Sequence, residues 1–292
     1  MEFRQIRYFL GVAEELHFSK ASERLYIAQS ALSRQIQQLE SEIKIKLFDR
    51  DKRNVKLTPA GEFLKNEWKR MTNEADDIIR HAKQIDNGEV GKIRLGHPGS
   101  AIYSIVPKAL GTMQEQIPDV RIELIEITEL ELIDGLLNYQ IDVGLTREQT
   151  SNPYLESKTL FAENFALVVN HSHRLTIDNF KSLKQARDEK FILPTFRENS
   201  LYSEHILSVF RQHGFKPKKA FESNFGATIL KLVEQNLGVS VMPISYSKGA
   251  SPLLRFIPLP DISELFITWR KSDKNPVLSK TIKIFEDEGK RF

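Results

Sequence analysis

The sequence predicts a small all-α N-terminal domain carrying a winged helix-turn-helix, extended by a long linker helix, followed by a larger α/β C-terminal domain. Three observations predict it. Short amphipathic helices crowd the first 43 residues, an apolar heptad row runs from Leu64 to Ile85, and beyond Gly91 strands and helices alternate. Alternation of that kind implies a largely parallel sheet covered by helices. The chain has 292 residues, of which 40% are hydrophobic and 28% charged, enough apolar mass for two or three cores.

In the first helix Ile6, Phe9, Leu10, Ala13 and Leu16 share one face. Ser19 caps a second short helix, Lys20 to Leu25, and Tyr26-Ile27-Ala28 links it to a third over Gln29–Ile43, with Leu32, Ile36, Leu39 and Ile43 turned inward. Two short helices joined by a few residues have the form of a helix-turn-helix. Leu47–Arg50 and Val55–Leu57 flank a polar tip, a small hairpin or wing. Thr58-Pro59 is a strong helix start, and nothing but Gly61 interrupts that helix before Gly88. Its Leu64, Trp68, Met71, Ala75, Ile78, Ala82 and Ile85 alternate steps of four and three, the signature of a two-helix seam and so of dimerisation. Gly88-Glu89-Val90-Gly91 reads as a hinge.

After the hinge come a strand at Lys92–Gly96, a helix from Ser100 with Pro107 in its first turns, a strand at Val120–Ile127, a helix opened by the capping box Thr128–Glu131, and a strand at Ile141–Leu145. A second unit holds strands at Phe165–Val169, Phe191–Leu193 and Val239–Met242, with a helix from about Ser200 to His213. A strand at Leu265–Trp269 and a helix from about Pro276 close the chain.

Composition removes several function classes. There are no cysteines, which excludes disulfides, thiolate zinc sites and thiol redox switching. Glu2, Arg4, Arg7, Glu14 and Glu15 interrupt the first twenty positions and no long apolar run follows, so the expectation is a cytoplasmic protein without a membrane partner. Residues 1–60 carry 11 Lys+Arg against 8 Asp+Glu; of the totals of 42 and 39, 31 of each remain for the rest. The whole positive excess therefore sits in the part that would meet a polyanion. His171-Ser172-His173 has ligand-like spacing but no third ligand at a metal interval, so no metal is expected. Gly96-His97-Pro98-Gly99-Ser100 lacks the glycine spacing of a dinucleotide fingerprint. No cofactor and no nucleophile–base set stands out, and an enzyme is not expected.

The motifs Arg4-Gln5-Ile6-Arg7-Tyr8-Phe9, Glu14 through Ala21, Gln29-Ser30-Ala31-Leu32-Ser33-Arg34-Gln35-Ile36, Leu39-Glu40, Leu47-Phe48-Asp49-Arg50 and Leu57-Thr58-Pro59-Ala60-Gly61 closely resemble the N-terminal domain of LysR-type transcriptional regulators. Glu14–Ala21 looks most like the branch controlling catabolic genes for aromatic and other small carboxylic acids. The resemblance implies a winged helix-turn-helix DNA-binding domain over 1–58 (helix-turn-helix about 18–37), a linker and dimerisation helix over 59–87, a hinge at 88–91 and a periplasmic-binding-protein-like effector domain over 92–292. Its lobes would be 92–162 with 267–292, and 163–266. Implied partners are double-stranded promoter DNA, a small effector, RNA polymerase, and further copies of the chain as homodimer and homotetramer.

Residue chemistry agrees. Gln29, Ser30, Ser33, Arg34 and Gln37 project from the outer face of the third helix, where Arg can grip guanine and Gln adenine through paired hydrogen bonds. Arg50, Lys52 and Arg53 on the wing would meet phosphates or the minor groove. Ser100 and Thr128 stand at predicted helix N-termini after strands, positions that suit an anion. The family uses both for effectors, and Arg147 after the next strand is a further carboxylate partner there. His97, Thr195 and Phe225 fall on loops that line the family's cleft. An organic anion is the expected effector. The competing reading is a small-molecule-binding α/β protein or enzyme whose winged helix serves protein contacts.

Overall fold

The computed structural model describes residues 1–50, 55–86, 91–195, 201–273 and 275–292, without the side chains of Arg50, His81, Gln84, Ile85, Asp86 and Leu201. The chain divides into two compact units, Met1–Asn87 and Gly88–Phe292.

In the first unit α1 (Phe3–Glu15), α2 (Phe18–Arg24) and α3 (Gln29–Ile43) precede the strands β1 (Phe48–Arg50) and β2 (Val55–Leu57), and α4 (Pro59–Asp86) ends the unit. Ile6, Phe9, Ala21, Leu32, Ile36 and Leu47 are buried in one core. The turn into α3 is sharp because Tyr26 adopts the left-handed conformation, φ 53°. The wing is antiparallel, Phe48 opposite Leu57, and buried Glu40 of α3 accepts the N–H groups of Leu47 and Phe48 at 2.8 and 3.2 Å. The wing is thereby bolted to the third helix. Thr58 Oγ accepts the Gly61 N–H at 2.9 Å and donates to the Lys46 carbonyl at 2.7 Å, so α4 starts at a fixed place against the wing. Any Cβ at Gly61 would collide with the Leu47 carbonyl oxygen.

The seam residues divide. Trp68 packs edge-on against Phe9, with ring centroids 5.2 Å apart, and half-buried Leu64 joins the same core. Both therefore serve their own domain, which corrects their assignment to a dimer seam. Met71, Ile78 and Ala82 are exposed, Ala75 is half-buried, and the Ile85 side chain lies outside the described set.

The second unit follows as β3 (Lys92–His97), α5 (Gly99–Ile102), α6 (Val106–Gln116), β4 (Arg121–Glu126), α7 (Glu129–Leu137), β5 (Val143–Thr146), β6 (Leu155–Asn170), β7 (Lys190–Leu193), α8 (Leu201–Gln212), β8 (Lys218–Glu222), α9 (Gly226–Glu234), β9 (Ser240–Pro243), β10 (Leu254–Arg270) and α10 (Pro276–Gly289). The expected single helix from Ser100 is two pieces. Pro107 lacks an N–H and fits only a first turn, so the chain breaks after Ile102 and restarts at Val106.

The main sheet has the order β4-β3-β5-β10-β6-β9. Its β4-β3-β5 half is parallel, but β10 runs antiparallel to β5 and β6, and β9 antiparallel to β6. The expectation of a largely parallel sheet is corrected accordingly. The long ribbon β6/β10 pairs from Leu254–Asn170 to Arg270–Leu155, with an irregularity between Pro258 and Ile262. One end of it contributes Leu265 and Ile267 to a core with Ile93, Leu95, Ile105 and Phe285. The other end gives Phe165, Leu167 and Ile257 to a core with Phe191, Phe210 and Val241. Two cores thus share two strands, and the cavity described next lies where the ribbon passes between them.

Candidate nucleic-acid interface and ligand cavity

In α3 the buried Leu32, Ile36 and Leu39 leave Gln29, Ser30, Arg34 and Gln37 exposed and Ser33 half-exposed, one continuous polar face. Ser19 donates to the Gln29 amide oxygen at 3.0 Å, which orients Gln29 from the preceding helix. Arg34 has no ion-pair partner among the described residues. Two apolar-buried helices that present Gln, Ser and Arg outward can enter a major groove. Arg50 lies on β1; Lys52 and Arg53 lie outside the described residues.

The second unit holds a cavity of about 120 Å³. Ser100, Thr128, Arg147, Thr195 and Phe225 all line it, brought together from α5, the start of α7, the end of β5, the loop after β7 and the start of α9. His97 does not. Its ring is buried, with Nδ1 3.2 Å from the Pro98 carbonyl, and burial lowers its pKa. Ser100 is no cap either. Pro98 holds that position, and the Ser100 hydroxyl accepts two hydrogen bonds from Arg147, 3.1 Å from Nε and 2.8 Å from Nη2. Thr128 does cap α7, in a capping box with Glu131.

Arg147 is buried and committed. Nη2 meets Glu163 at 2.8 Å and Nη1 meets Ser263 at 3.2 Å, while the other Glu163 oxygen accepts the Ser245 N–H at 2.6 Å. A buried pair of this kind offsets its desolvation only when nearly every lone pair and N–H is met, as here. The network joins α5, β5, β6 and β10 at the crossing, so it builds the cavity wall. Its charge is spent within the protein.

Among the lining residues that sequence reasoning missed, Tyr202, Tyr246 and Glu129 stand out. Tyr202 and Tyr246 are apolar walls whose hydroxyl pKa values burial raises, Tyr202 to about 12. Glu129, at the first position of α7, accepts backbone N–H groups of Tyr202 and Glu148, yet its Oε2 is buried with no hydrogen-bond partner. Burial first, and then the neighbouring Glu148 carboxylate, push its pKa to about 7. Glu148 in turn is 2.6 Å from His205 Nδ1 on α8, and that contact raises the histidine pKa. An acid in the first turn of a capped helix is ordinarily a surface contact with the helix dipole, so the sequence carries no signal that sets Glu129 apart.

The model of the bacterial regulatory helix-turn-helix protein of the LysR family matches residues 3–62, and that of the LysR substrate binding domain matches residues 86–289. The chain belongs to the LysR family of transcriptional regulators. It is 33% identical over 280 residues to the HTH-type transcriptional regulator BenM of Acinetobacter baylyi, covering 94% of this chain and 92% of that protein. The crystal structure of full-length BenM superposes with a TM-score of 0.58 at 30% identity, over 100% of this chain and 96% of that one. Full-length CbnR complexed with its target DNA superposes with a TM-score of 0.69 at 25% identity, over 99% and 100%. The regulator is thus a DNA-binding protein with an effector-binding domain, from a family of regulators and not of enzymes. Among the described residues, no helix is long and apolar enough to cross a membrane.

Proposed function

We propose that this regulator reads its operator with Gln29, Ser30, Ser33, Arg34 and Gln37, and that a small molecule in the cavity of the second unit sets its activity. The exposed polar face of α3, fixed to the wing through Glu40, carries the first half. The convergence of five separate elements on one cavity beside the shared ribbon carries the second. A ligand gripping both cores would favour one pre-existing arrangement of them over another, which is how a small molecule shifts a DNA-binding assembly. The domain boundaries 1–58, 59–87, 88–91 and 92–292 are the framework of this reading. Residues 88–90 of the hinge lie outside the described residues.

The organic anion expected from the sequence finds less support than a ligand that brings its own hydrogen-bond donors, since Arg147 is already met by Glu163 and two carboxylates, Glu126 and Glu129, line the same space. Exposed Met71 and Ile78 support association through α4 as a homodimer, and then a homotetramer. Contact with RNA polymerase and residence in the cytoplasm belong to the same reading, with family membership as their support. The testing experiment is anisotropy of labelled promoter DNA against salt. Sequence-preferring binding, with a log–log slope reflecting several phosphate contacts, is expected. Equal affinity for promoter and random DNA overturns the operator assignment.

A further inference from the structure

Resting on the reading that this cavity is the effector site, we infer that its ligand carries an uncharged carboxamide. The Tyr246 hydroxyl holds the carbonyl oxygen of that group, and Glu126 accepts its N–H. Tyr246 follows β9, and its ring packs against Tyr103 with centroids 5.1 Å apart. The residue is only 6% exposed. Its hydroxyl has no hydrogen-bond partner among the described residues. Yet it is not one of the polar atoms sealed in the interior, so it keeps open surface on the cavity that the residue lines. A phenol buried this deeply ordinarily finds a partner, and here the cavity is where one can stand.

Two glycines fix where the hydroxyl points. Gly99 opens α5 and Gly226 opens α9, and neither has the positive φ that would itself demand glycine. A Cβ at Gly226 would collide with the Tyr246 hydroxyl, and one at Gly99 would stand 3.0 Å from it. The hydroxyl therefore sits between two helix starts, and a larger residue at Gly226 would displace it. No side chain caps the nine-residue α9, so its first N–H groups favour the same electron-rich oxygen as the phenol O–H does. Burial raises the Tyr246 pKa, which keeps the hydroxyl protonated and a donor.

Beside this donor stands an acceptor. A Cβ at Gly99 would lie 2.7 Å from Glu126 Oε1 as well as 3.0 Å from Tyr246 Oη, so carboxylate and hydroxyl border the same small space. Glu126 is exposed and lines the cavity. One donor and one acceptor side by side match the C=O and N–H of an amide, which a carboxylate or an amidinium meets only in half. Ile127, Ile229 and Met242 on the same wall suit an apolar body behind that head group.

Benzamide, benzoate and benzamidinium test this, being nearly equal in shape and different only in these two groups. Calorimetric titration of the full chain at pH 8 is expected to show benzamide bound about tenfold more tightly than either ion. Tyr246→Phe removes the hydroxyl alone. It should weaken benzamide about tenfold and benzamidinium far less, without lowering the melting temperature, since no described residue bonds that oxygen. A tyrosine kept for structure would show the opposite, a lower melting temperature with benzamide binding unchanged. Glu126→Gln, on an exposed side chain that folding tolerates, should raise benzoate affinity and narrow its gap to benzamide. Either ion binding as tightly as benzamide, no benzamide binding at millimolar concentration, benzamide affinity untouched by Tyr246→Phe, or benzoate affinity untouched by Glu126→Gln would overturn the assignment. Anisotropy of labelled promoter DNA at saturating benzamide judges the effector reading separately. An unchanged promoter isotherm would overturn that reading and leave the recognition pattern, which calorimetry alone decides.

Discussion

Arg34 and Arg147 show how differently one residue type is used within this chain. Arg34 projects from α3 with no ion pair among the described residues, so its five donors remain for a base edge. Arg34→Ala should therefore cost roughly 1–3 kcal/mol at the cognate operator and relax preference at one base pair. Competition titrations with single-base variants check this, and equal losses on specific and random DNA would remove Arg34 from base readout. Arg147 is legible in the sequence as a basic residue after a strand, but its neutralisation is not. Glu163 lies in the half of β6 that periodicity did not reveal, and its approach depends on the pairing of β6 with β10. Glu129 was hidden for a simpler reason. An acid in a first helical turn is ordinarily a dipole contact at the surface, and only the packing of Tyr202 and Glu148 against it leaves its Oε2 buried without a hydrogen bond.

Among the elements, α1 to α4 were readable because each buries one stripe of a 3.6-residue period. The register of use was not. Leu64 and Trp68 continue the heptad row, yet the row turns from the domain core to the surface between Trp68 and Met71. Ile78, 62% exposed, is the centre of what remains free. Ile78→Asp should leave the fold intact and reduce the full chain to smaller species with much poorer operator affinity. An unchanged sedimentation coefficient would assign assembly to another surface. Gly61 belongs to the same element and has the opposite sensitivity. With the Leu47 carbonyl against its Cα, Gly61→Ala should destabilise the first unit by about 1–3 kcal/mol, read as an earlier first melting transition. The strands β6 and β10 were half-read for a physical reason. Burial along them is irregular: in β6 Leu155, Leu160 and Phe161 are buried while Glu156, Thr159 and Ala162 are exposed, so neither a period of two nor a continuous apolar run marks that stretch. The shared ribbon, and hence the mixed sheet, escaped a reading that rests on period alone.

For the whole molecule, the consequence of sharing two strands is that charge placed at the crossing acts on both cores at once. Glu129 lines the cavity with Glu148 as its charged neighbour, and His205 of α8 is paired to Glu148. The sign of each contribution is fixed by its shift. Glu129, raised from 4.5 to about 7, favours folding fully below the unfolded value, and that advantage is lost as pH rises through about 7. His205, raised above 6.5 by Glu148, likewise contributes at low pH and loses the contribution as pH climbs past its folded value. His97 and His173, lowered by burial, act oppositely, since each must shed a proton to fold below 6.5. Because these opposing groups blur the wild-type profile, the informative quantity is the difference made by one substitution. Glu129→Gln removes a carboxylate that is costly to ionise above neutral pH, a relief of roughly 2–3 kcal/mol when fully charged. It should raise the melting temperature by several degrees at pH 8 and hardly at all at pH 5. His205→Gln should do the reverse in sign, lowering the melting temperature at pH 6 and losing that effect at pH 8. Differential scanning calorimetry of the full chain at the three pH values distinguishes them, and a Glu129→Gln effect of equal size at pH 5 and pH 8 would show that packing, not the buried charge, is what the substitution changes.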